Sequence, residues 1–146
     1  ETISRIISVF PPHQQRQIRI QLSTVLKAAI SQRLMPRVDG LGRVPAVEVM
    51  IGTPFIRDCI VDKDRTSHIH GAIASGTSQY GMQTFDQSIF GLYQQGFVTL
   101  DEAMRWASNV DEFKLKVQGI STTAELARDE MAKQGGVQPD IIRFGG

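Results

Sequence analysis

The stretch ISQRLMPRVDGLGRVPAVEVMI, residues 30–51, has the pattern of two β-strands joined by a tight turn. Both runs are rich in residues that favour extended backbone, and the segment between them contains Asp39-Gly40 and Gly42. Aspartate and glycine supply the backbone conformations that a hairpin turn requires. We therefore predict an antiparallel strand pair over this stretch.

Alternation along the second run indicates which positions share a face of the strand. Successive residues point to opposite sides, which gives two sets, Val47, Val49 and Ile51 on one face and Ala46, Glu48 and Met50 on the other. Pro45 places this strand at a sheet edge or near its own start, because proline has no N–H to donate.

Upstream of the hairpin, the sequence has the period of a long amphipathic helix, which we place at residues 12–30. Its apolar stripe consists of Ile18, Leu22, Val25, Leu26 and Ala29. Residues 1–43 carry seven basic groups against two acidic ones, so phosphate, an acidic neighbour, nucleic acid or solvent alone could face them. Few aromatic residues accompany the basic ones, which gives base stacking little support, and we predict no nucleic-acid partner.

After Met50 the chain becomes serially helical. Thr53-Pro54 is predicted to cap a helix that runs to about Val61, and a second helix is predicted around Ser67–Ala74. The result is a helical bundle attached to a small piece of sheet.

Four later helix starts share an N-cap residue followed three positions on by glutamate or glutamine, which is the capping-box pattern. They are Thr84–Gln87, Thr99–Glu102, Asn109–Glu112 and Thr122–Glu125. Gly96 and Gly119 stand where the preceding helices should stop, and residues 134–146 have the composition of a loose tail.

Gly76 and Gly81 have the glycine spacing of a phosphate-binding P-loop, but the residues around them do not fit one. A P-loop requires a lysine and then Ser or Thr after the second glycine, and Met82 and Gln83 stand there instead. We expect these glycines to form a turn between two helices.

Metal and catalytic sites have little support in this sequence. His68 and His70 lie two positions apart, so on a helix they point to different faces, and the nearby aspartates do not fit a calcium loop. Glu48 is an isolated carboxylate without an evident acid–base partner. Cys59, the single cysteine, is predicted to pack as a small buried hydrophobe. We predict no metal site and no catalytic residue.

Length and composition are those of one globular domain without a membrane span: 146 residues, 41% apolar and 21% charged. The chain begins with Glu1 and enters amphipathic sequence almost at once, so we expect it to be a segment of something longer. A cytoplasmic location fits the cysteine usage and the lack of a signal peptide.

Three blocks carry a resemblance to a known family. Residues 5–37 (RIISVFPPHQQRQIRIQLSTVLKAAISQRLMPR), 42–51 (GRVPAVEVMI) and 78–89 (SQYGMQTFDQSI) resemble the C-terminal part of type IV pilus retraction ATPases, the PilT family of secretion-type motor ATPases. The resemblance runs from about Thr2 to Gly119. It implies a RecA-like ATPase that works as a hexamer at the cytoplasmic face of the inner membrane, uses ATP and Mg²⁺, and contacts a pilus platform protein there.

The resemblance also implies a division of the chain and an α/β fold class. Residues 1–52 would be the last part of the RecA-like core, a long helix plus the antiparallel strand pair. Residues 53–120 would be an all-helical C-terminal subdomain, and residues 121–146 a terminal helix and tail. The family's Walker A and Walker B motifs would precede Glu1, so we expect this segment alone to bind no cofactor and to be inactive.

The residues FIRDCIVD, Phe55–Asp62, align with the A-I-R-N-L-I-R-E helix that the family ties to retraction. Ile56, Arg57 and Ile60 match the pattern; Phe55, Asp58, Cys59, Val61 and Asp62 depart from it. The departures leave retraction by this protein in question, and a divergent paralogue is the alternative.

We predict that these matching residues and the Gly81, Met82, Gln83 and Thr84 motif act in motor or interface contacts. Arg33 and Arg37, near the strand pair, are candidates for contact with nucleotide or with the neighbouring subunit.

Two other functions stay open from sequence alone. One is a stand-alone oligomerising interaction module without any ATPase. The other is the matching part of a pilus-extension or type II secretion ATPase, which would share the core and differ in its direction of work.

Overall fold

The structure is a computed structural model that describes residues 2–119. Its elements are, in chain order, α1 Thr2–Ser8, α2 Pro12–Val25, β1 Ala28–Pro36, β2 Arg43–Ile51, α3 Pro54–Val61, a 3₁₀ helix at Lys63–His68, α4 Ile69–Ser75, α5 Thr77–Tyr80, α6 Phe85–Gln94 and α7 Leu100–Trp106. Residues 110–119 are helical as well. The mixed α/β architecture with one antiparallel strand pair is as predicted.

β1 and β2 pair antiparallel, with Ala28 opposite Ile51 and Pro36 opposite Arg43. Beyond the two ends of the pair, the Arg37 N–H donates to Gly42 O at 3.0 Å and the Gly52 N–H donates to Lys27 O at 2.7 Å. These two bonds show that odd-numbered residues of β1 and even-numbered residues of β2 direct their backbone groups toward each other.

The same parity explains how the strands accommodate their prolines. Pro45 is an odd-numbered residue of β2 and Pro36 an even-numbered residue of β1, so each ring occupies a position whose N–H would point away from the ladder. The turn between the strands has Gly40 at φ 70° and Gly42 at φ 122°, both in the region that favours glycine. The predicted hairpin is confirmed.

The predicted helix over residues 12–30 is wrong at its C-terminal end, because α2 stops at Val25. Leu26 has extended backbone, and Ala28 and Ala29 already belong to β1. A tertiary contact ends the helix here. The Gly52 N–H donates a hydrogen bond to the Lys27 carbonyl, and the two chain segments lie so close that a Cβ at Gly52 would be only 2.5 Å from Leu26 O. Strand pairing therefore overrides a local apolar pattern that suits a helix equally well.

The predicted helix starts are confirmed where the structure describes them. The Thr53, Thr84 and Thr99 hydroxyls each accept the N–H three residues on, and Asn109 Oδ1 accepts the Glu112 N–H at 3.2 Å. At Thr84 the box is reciprocal, because the Gln87 side chain accepts the Thr84 N–H at 3.0 Å.

One further helix and two helix stops were also predicted. The helix expected at Ser67–Ala74 is a 3₁₀ helix to His68 followed by α4, so its start was wrong and its body was right. Gly96 has φ 75° just beyond α6, as expected of a helix stop. Gly119 is still helical; the Thr122–Glu125 cap and the tail at 134–146 lie outside the described residues.

The main apolar core lies where α1, β2, α3 and α4 meet. It consists of the buried residues Ile3, Ile7, Met50, Ile56, Ile60, Ile73 and Met82. Cys59 is fully buried as predicted, and burial raises the pKa of its thiol. α3 therefore contributes three buried side chains within five residues and is the most deeply packed short helix of this region.

The chain divides into two compact units, Glu1–Ser108 and Asn109–Gly146. The first contains the strand pair and α1 to α7. The described part of the second is the helix capped by Asn109. The domain boundaries expected after residues 52 and 120 stay predictions.

Ile60→Ala should lower the free energy of unfolding by about 2–5 kcal/mol, because it leaves a cavity in the core where the Ile60 side chain is fully buried. Val61→Ala is the matched control, since Val61 is the next residue of α3 and is 41% exposed; its effect should stay within about 0.5 kcal/mol. Urea unfolding of both variants measures the difference. Equal losses would contradict the packing of α3 described above.

Candidate functional site

The residues that match the retraction helix, Ile56, Arg57 and Ile60, lie at the inner side of α3. Ile56 and Ile60 are fully buried, and the Thr53 hydroxyl that caps the helix accepts the Ile56 N–H at 3.3 Å. Arg57 is half-buried, and its Nε donates to Gly52 O at 3.0 Å. These residues therefore hold α3 against the end of β2.

The Gly81, Met82, Gln83 and Thr84 motif lies beside β2. Gly81 ends α5 in the left-handed conformation at φ 69°, and Met82 is buried beneath it. Gln83 and Val49 exchange backbone hydrogen bonds at 2.9 and 3.2 Å, which adds a bridge to the side of β2 opposite β1. The Gln83 side chain also donates to Val47 O at 2.8 Å. The expected turn between two helices is present, and it docks on the sheet.

Arg33 is engaged within the fold. Its Nη1 donates to the Trp106 carbonyl at 3.2 Å, and its guanidinium lies 4.1 Å from the centre of the Phe85 ring. These contacts join β1 to the start of α6 and the end of α7. The proposed contact with nucleotide or a neighbouring subunit stays a prediction for this residue.

Arg37 forms a two-point contact with Asp39 in the hairpin turn and lies 5.8 Å from the centre of the Phe97 ring. The Arg37 guanidinium, with the Leu41 N–H, holds the pKa of the Asp39 carboxyl below its ordinary value. Both side chains are partly exposed, so this end of the hairpin carries a paired charge at the surface. The role predicted for Arg37 likewise stays a prediction.

Arg19 on α2 is the link that sequence reasoning missed. Its Nη1 donates to Ile60 O at 2.9 Å, near the end of α3, and to Thr66 Oγ1 at 3.2 Å in the 3₁₀ helix. Thr66 in turn donates to Cys59 O at 3.2 Å. No local sequence signal identifies these partners of Arg19, because both lie more than 40 positions away along the chain.

Two cavities open on the first unit. One, of about 280 Å³, lies between α1, the strand pair and α4, with Met50 and Ile73 in its wall and Glu48 and His70 at its polar side. The other, of about 460 Å³, is bordered by Phe55 and Tyr80 and by small residues of α4. Within residues 2–119, no three His, Cys, Asp or Glu side chains are grouped so that they could hold a metal ion.

Helix length and hydropathy bear on membrane association. None of the helices in the described part of the chain is both long and apolar enough to cross a bilayer.

The chain is similar in sequence to bacterial pilus ATPases, although no family model matches it. It is 35% identical over 118 residues to the type IV pilus ATPase PilU of Pseudomonas aeruginosa, and the aligned region covers 81% of this chain and 30% of PilU. It is 38% identical over 113 residues to the type IV pilus retraction ATPase PilT of the same organism, with coverage of 77% and 32%. A twitching motility protein of Neisseria gonorrhoeae is 37% identical over 109 residues, with coverage of 75% and 29%.

Solved structures agree with this similarity. The pilus retraction motor PilT with bound ADP superposes with a TM-score of 0.61 at 39% identity, over 76% of this chain and 30% of that one. The Legionella pneumophila ATPase DotB superposes with a TM-score of 0.56 at 21% identity, over 82% and 29%, and supports the fold alone. The expected fold class, the last part of a RecA-like ATPase core followed by helices, is confirmed. The chain spans about a third of the length of the relatives it matches.

Gln83→Leu should reduce the free energy of unfolding by about 1–2 kcal/mol, because the half-buried Val47 carbonyl loses the donor that Gln83 provides. Gln79→Leu is the matched control, since Gln79 is exposed on α5 and close by in sequence. Urea unfolding measures both. A Gln83 variant as stable as the Gln79 variant would contradict the role of this side chain in docking the motif on β2.

The Asp39 carboxyl should titrate below its ordinary range, and Arg37→Gln should raise its pKa because the main cause of the depression is removed. The pKa of Asp39 is lower in the folded state than in the unfolded state, so the contact stabilises the folded state fully at pH values above the unfolded-state pKa. This stabilisation is lost as the pH falls through the folded-state pKa. Carboxyl ¹³C NMR against pH measures the shift. Arg43→Gln serves as the control, and a pKa that follows Arg43 instead of Arg37 would refute the pairing.

Proposed function

Because this chain is a C-terminal segment of the PilT family, we propose that its family-length protein is an ATP-driven hexameric motor that retracts type IV pili. The observation that carries the proposal is the 38% identity to PilT over 113 residues, together with the superposition on the retraction motor. In this proposal the motor works at the inner face of the cytoplasmic membrane, does not span it, and acts on the inner-membrane pilus platform protein.

In this proposal, ATP and Mg²⁺ are bound by the family-length protein and not by this segment alone. Three stretches have P-loop glycine spacing, Gly71–Gly76, Gly76–Gly81 and Gly91–Gly96, and none of them has a lysine after its second glycine. The Gly76–Gly81 stretch forms α5 and the turn that docks on β2. The residues present therefore do not fit a nucleotide phosphate site of that kind. The segment on its own should be inactive.

The role we assign to the segment is force transmission. Hydrogen bonds cross the predicted boundary at residue 52 in several places: Arg57 to Gly52, Arg19 to Ile60, and Gln83 to Val49. The stacking of Arg33 on Phe85 adds a further link. Connections of this number favour motion of the strand pair and the helices as one body, so that a rotation driven by nucleotide is passed on without loss at a hinge.

The exposed side of α3 is where this chain departs from the family's retraction helix. The matching residues Ile56 and Ile60 are buried, whereas four of the five departing positions are exposed: Phe55, Asp58, Val61 and Asp62. Phe55, in addition, lies 5.3 Å from the Arg65 guanidinium and borders the larger cavity. The inner side thus retains the packing that holds the helix, and the side available to a neighbouring subunit or to the platform protein has changed.

Two alternatives compete with the retraction motor. A pilus-extension or type II secretion motor would share the fold, and the changed surface of α3 is the observation that favours a different direction of work. A stand-alone oligomerising module would need no ATPase at all.

A chimaera tests the proposal, with residues 2–119 in place of the matching part of P. aeruginosa PilT. We expect it to hydrolyse ATP and to restore twitching to a strain that lacks PilT, while the isolated chain shows no turnover above a buffer blank. Val61→Arg, which returns the family's basic residue to an exposed site, should enlarge the twitching zone. Val9→Arg adds the same charge at another exposed position and should leave the zone unchanged.

Each other outcome has a distinct meaning. ATP turnover without twitching would support the extension motor and contradict retraction. A chimaera that folds but neither assembles nor hydrolyses ATP would support the stand-alone module. Turnover by the isolated chain would overturn the statement that it lacks the catalytic parts.

A further inference from the structure

The C-terminal end of α3 is completed by side chains from other parts of the fold. A helix leaves its last carbonyl groups without an N–H from a following turn, and Asp62, the residue after α3, has extended backbone. The N–H four residues after Ile60 belongs to Asp64, and it donates to Asp62 Oδ1 at 2.9 Å instead. The Ile60 carbonyl accepts from Arg19 Nη1 at 2.9 Å, from a helix 41 positions earlier in the chain.

The Arg19 guanidinium serves two acceptors at this end of α3. Besides Ile60 O, its Nη1 donates to Thr66 Oγ1 at 3.2 Å. The Thr66 hydroxyl lies 3.2 Å from the Cys59 and Asp62 carbonyls and can donate its one proton to either. A positive charge is also favourable here, because the carbonyl end of a helix carries partial negative charge. Arg19 thus satisfies one carbonyl of the last turn directly and supports a second through Thr66.

Both ends of α3 are hydrogen-bonded to the part of the chain that precedes it. At the start, Arg57 Nε donates to the carbonyl of Gly52, the residue after β2. At the end, the donor is Arg19 on α2. Between these points, Ile18 and Leu22 of α2 pack against the apolar core. Apolar packing has no directional preference, whereas a hydrogen bond requires a defined distance and angle, so the Arg19 contact fixes the position of α3 along α2.

We propose that Arg19 is a positioning residue that makes α3 follow each movement of α2. Its role in a motor rests on the function proposed above, in which α2 belongs to the ATPase core and α3 aligns with the family's retraction helix. In that motor, a nucleotide-driven shift of α2 reaches α3 through the guanidinium, and without it the core turns over ATP while α3 no longer follows. This role requires no exposed surface, because the donor and its acceptors all lie within the first unit.

Hydrogen–deuterium exchange of the purified 146-residue chain tests the positioning role without any motor. Arg19→Met keeps the apolar stem of the side chain and removes its donors. We expect amides in the second half of α3 to exchange about tenfold faster or more, because the last turn loses a charged hydrogen bond, while α6 keeps its original rate. Arg16→Met is the matched control, since it makes the same change at an exposed position of α2, and it should leave α3 unchanged.

The chimaera with P. aeruginosa PilT tests the coupling role. With Arg19→Met we expect its ATP turnover to stay within about twofold of the unaltered chimaera, and its twitching zone to shrink to less than about half. Arg16→Met should change neither. A residue that merely stabilises the fold would lower turnover and twitching together, so the separation of the two is the result that identifies a positioning residue. Thr66→Val is a milder second variant, because it removes only the indirect contact, and it should accelerate exchange less and in α3 alone.

Three results would each overturn the role of Arg19. They are equal exchange of α3 in the Arg19 and Arg16 variants, faster exchange of α3 and α6 alike in both the Arg19 and Thr66 variants, and a loss of ATP turnover in proportion to the loss of twitching. A chimaera that hydrolyses no ATP or does not twitch with Arg19 in place overturns the retraction motor, and with it the coupling. The exchange measurement then still decides whether Arg19 positions α3.

Discussion

The close approach of Gly52 to the chain at Leu26 and Lys27 is the constraint on which the first unit depends. The Gly52 N–H donates to Lys27 O at 2.7 Å, and any side chain at Gly52 would collide with the Leu26 carbonyl. This one contact ends α2, begins the ladder and places Thr53 where its hydroxyl starts α3. The apolar faces of α2 and α3 are brought together at the same point, so the core forms around a backbone contact that only glycine permits.

β2 is the element through which the rest of the unit is connected. Its even-numbered residues bond to β1, and its odd-numbered residues bond to the opposite side, where Gln83 pairs with Val49 and the Ser88 hydroxyl accepts the Val47 N–H at 3.0 Å. A strand used on both sides cannot shift its register without breaking both sets of bonds. The helices that follow α3 are therefore positioned by the sheet as well as by their own packing.

Local chemistry made much of this fold predictable. The hairpin followed from Asp39-Gly40 and Gly42, and the helix starts from Thr53, Thr84 and Thr99, because caps and turns depend on a few adjacent residues. The end of α2 was mispredicted for the complementary reason. Leu26 and Ala29 fit both a helical stripe and a strand, and the choice depends on Gly52, which lies far along the chain.

The candidate site, too, could be predicted from the sequence only in part. Burial of Ile56 and Ile60 could be inferred from their spacing, and the Gly81–Thr84 turn from its glycine and its cap. The partners of Arg19 and Arg33 could not, since Ile60 and Trp106 lie 41 and 73 positions away. From sequence alone, an arginine on a polar helix face or on a strand cannot be told from an exposed surface charge, because the carbonyl or the ring that it contacts belongs to a distant part of the chain.

Cys59 is a built-in reporter of how often α3 opens. It is the single thiol in the sequence and is fully buried on α3, between two of the core isoleucines. A thiol-specific reagent can reach its sulfur only when α3 leaves the core, and burial keeps the sulfur in the unreactive protonated form until then. The rate of modification thus records how often this helix opens, so the motion of the segment can be followed in the unaltered chain without an added probe.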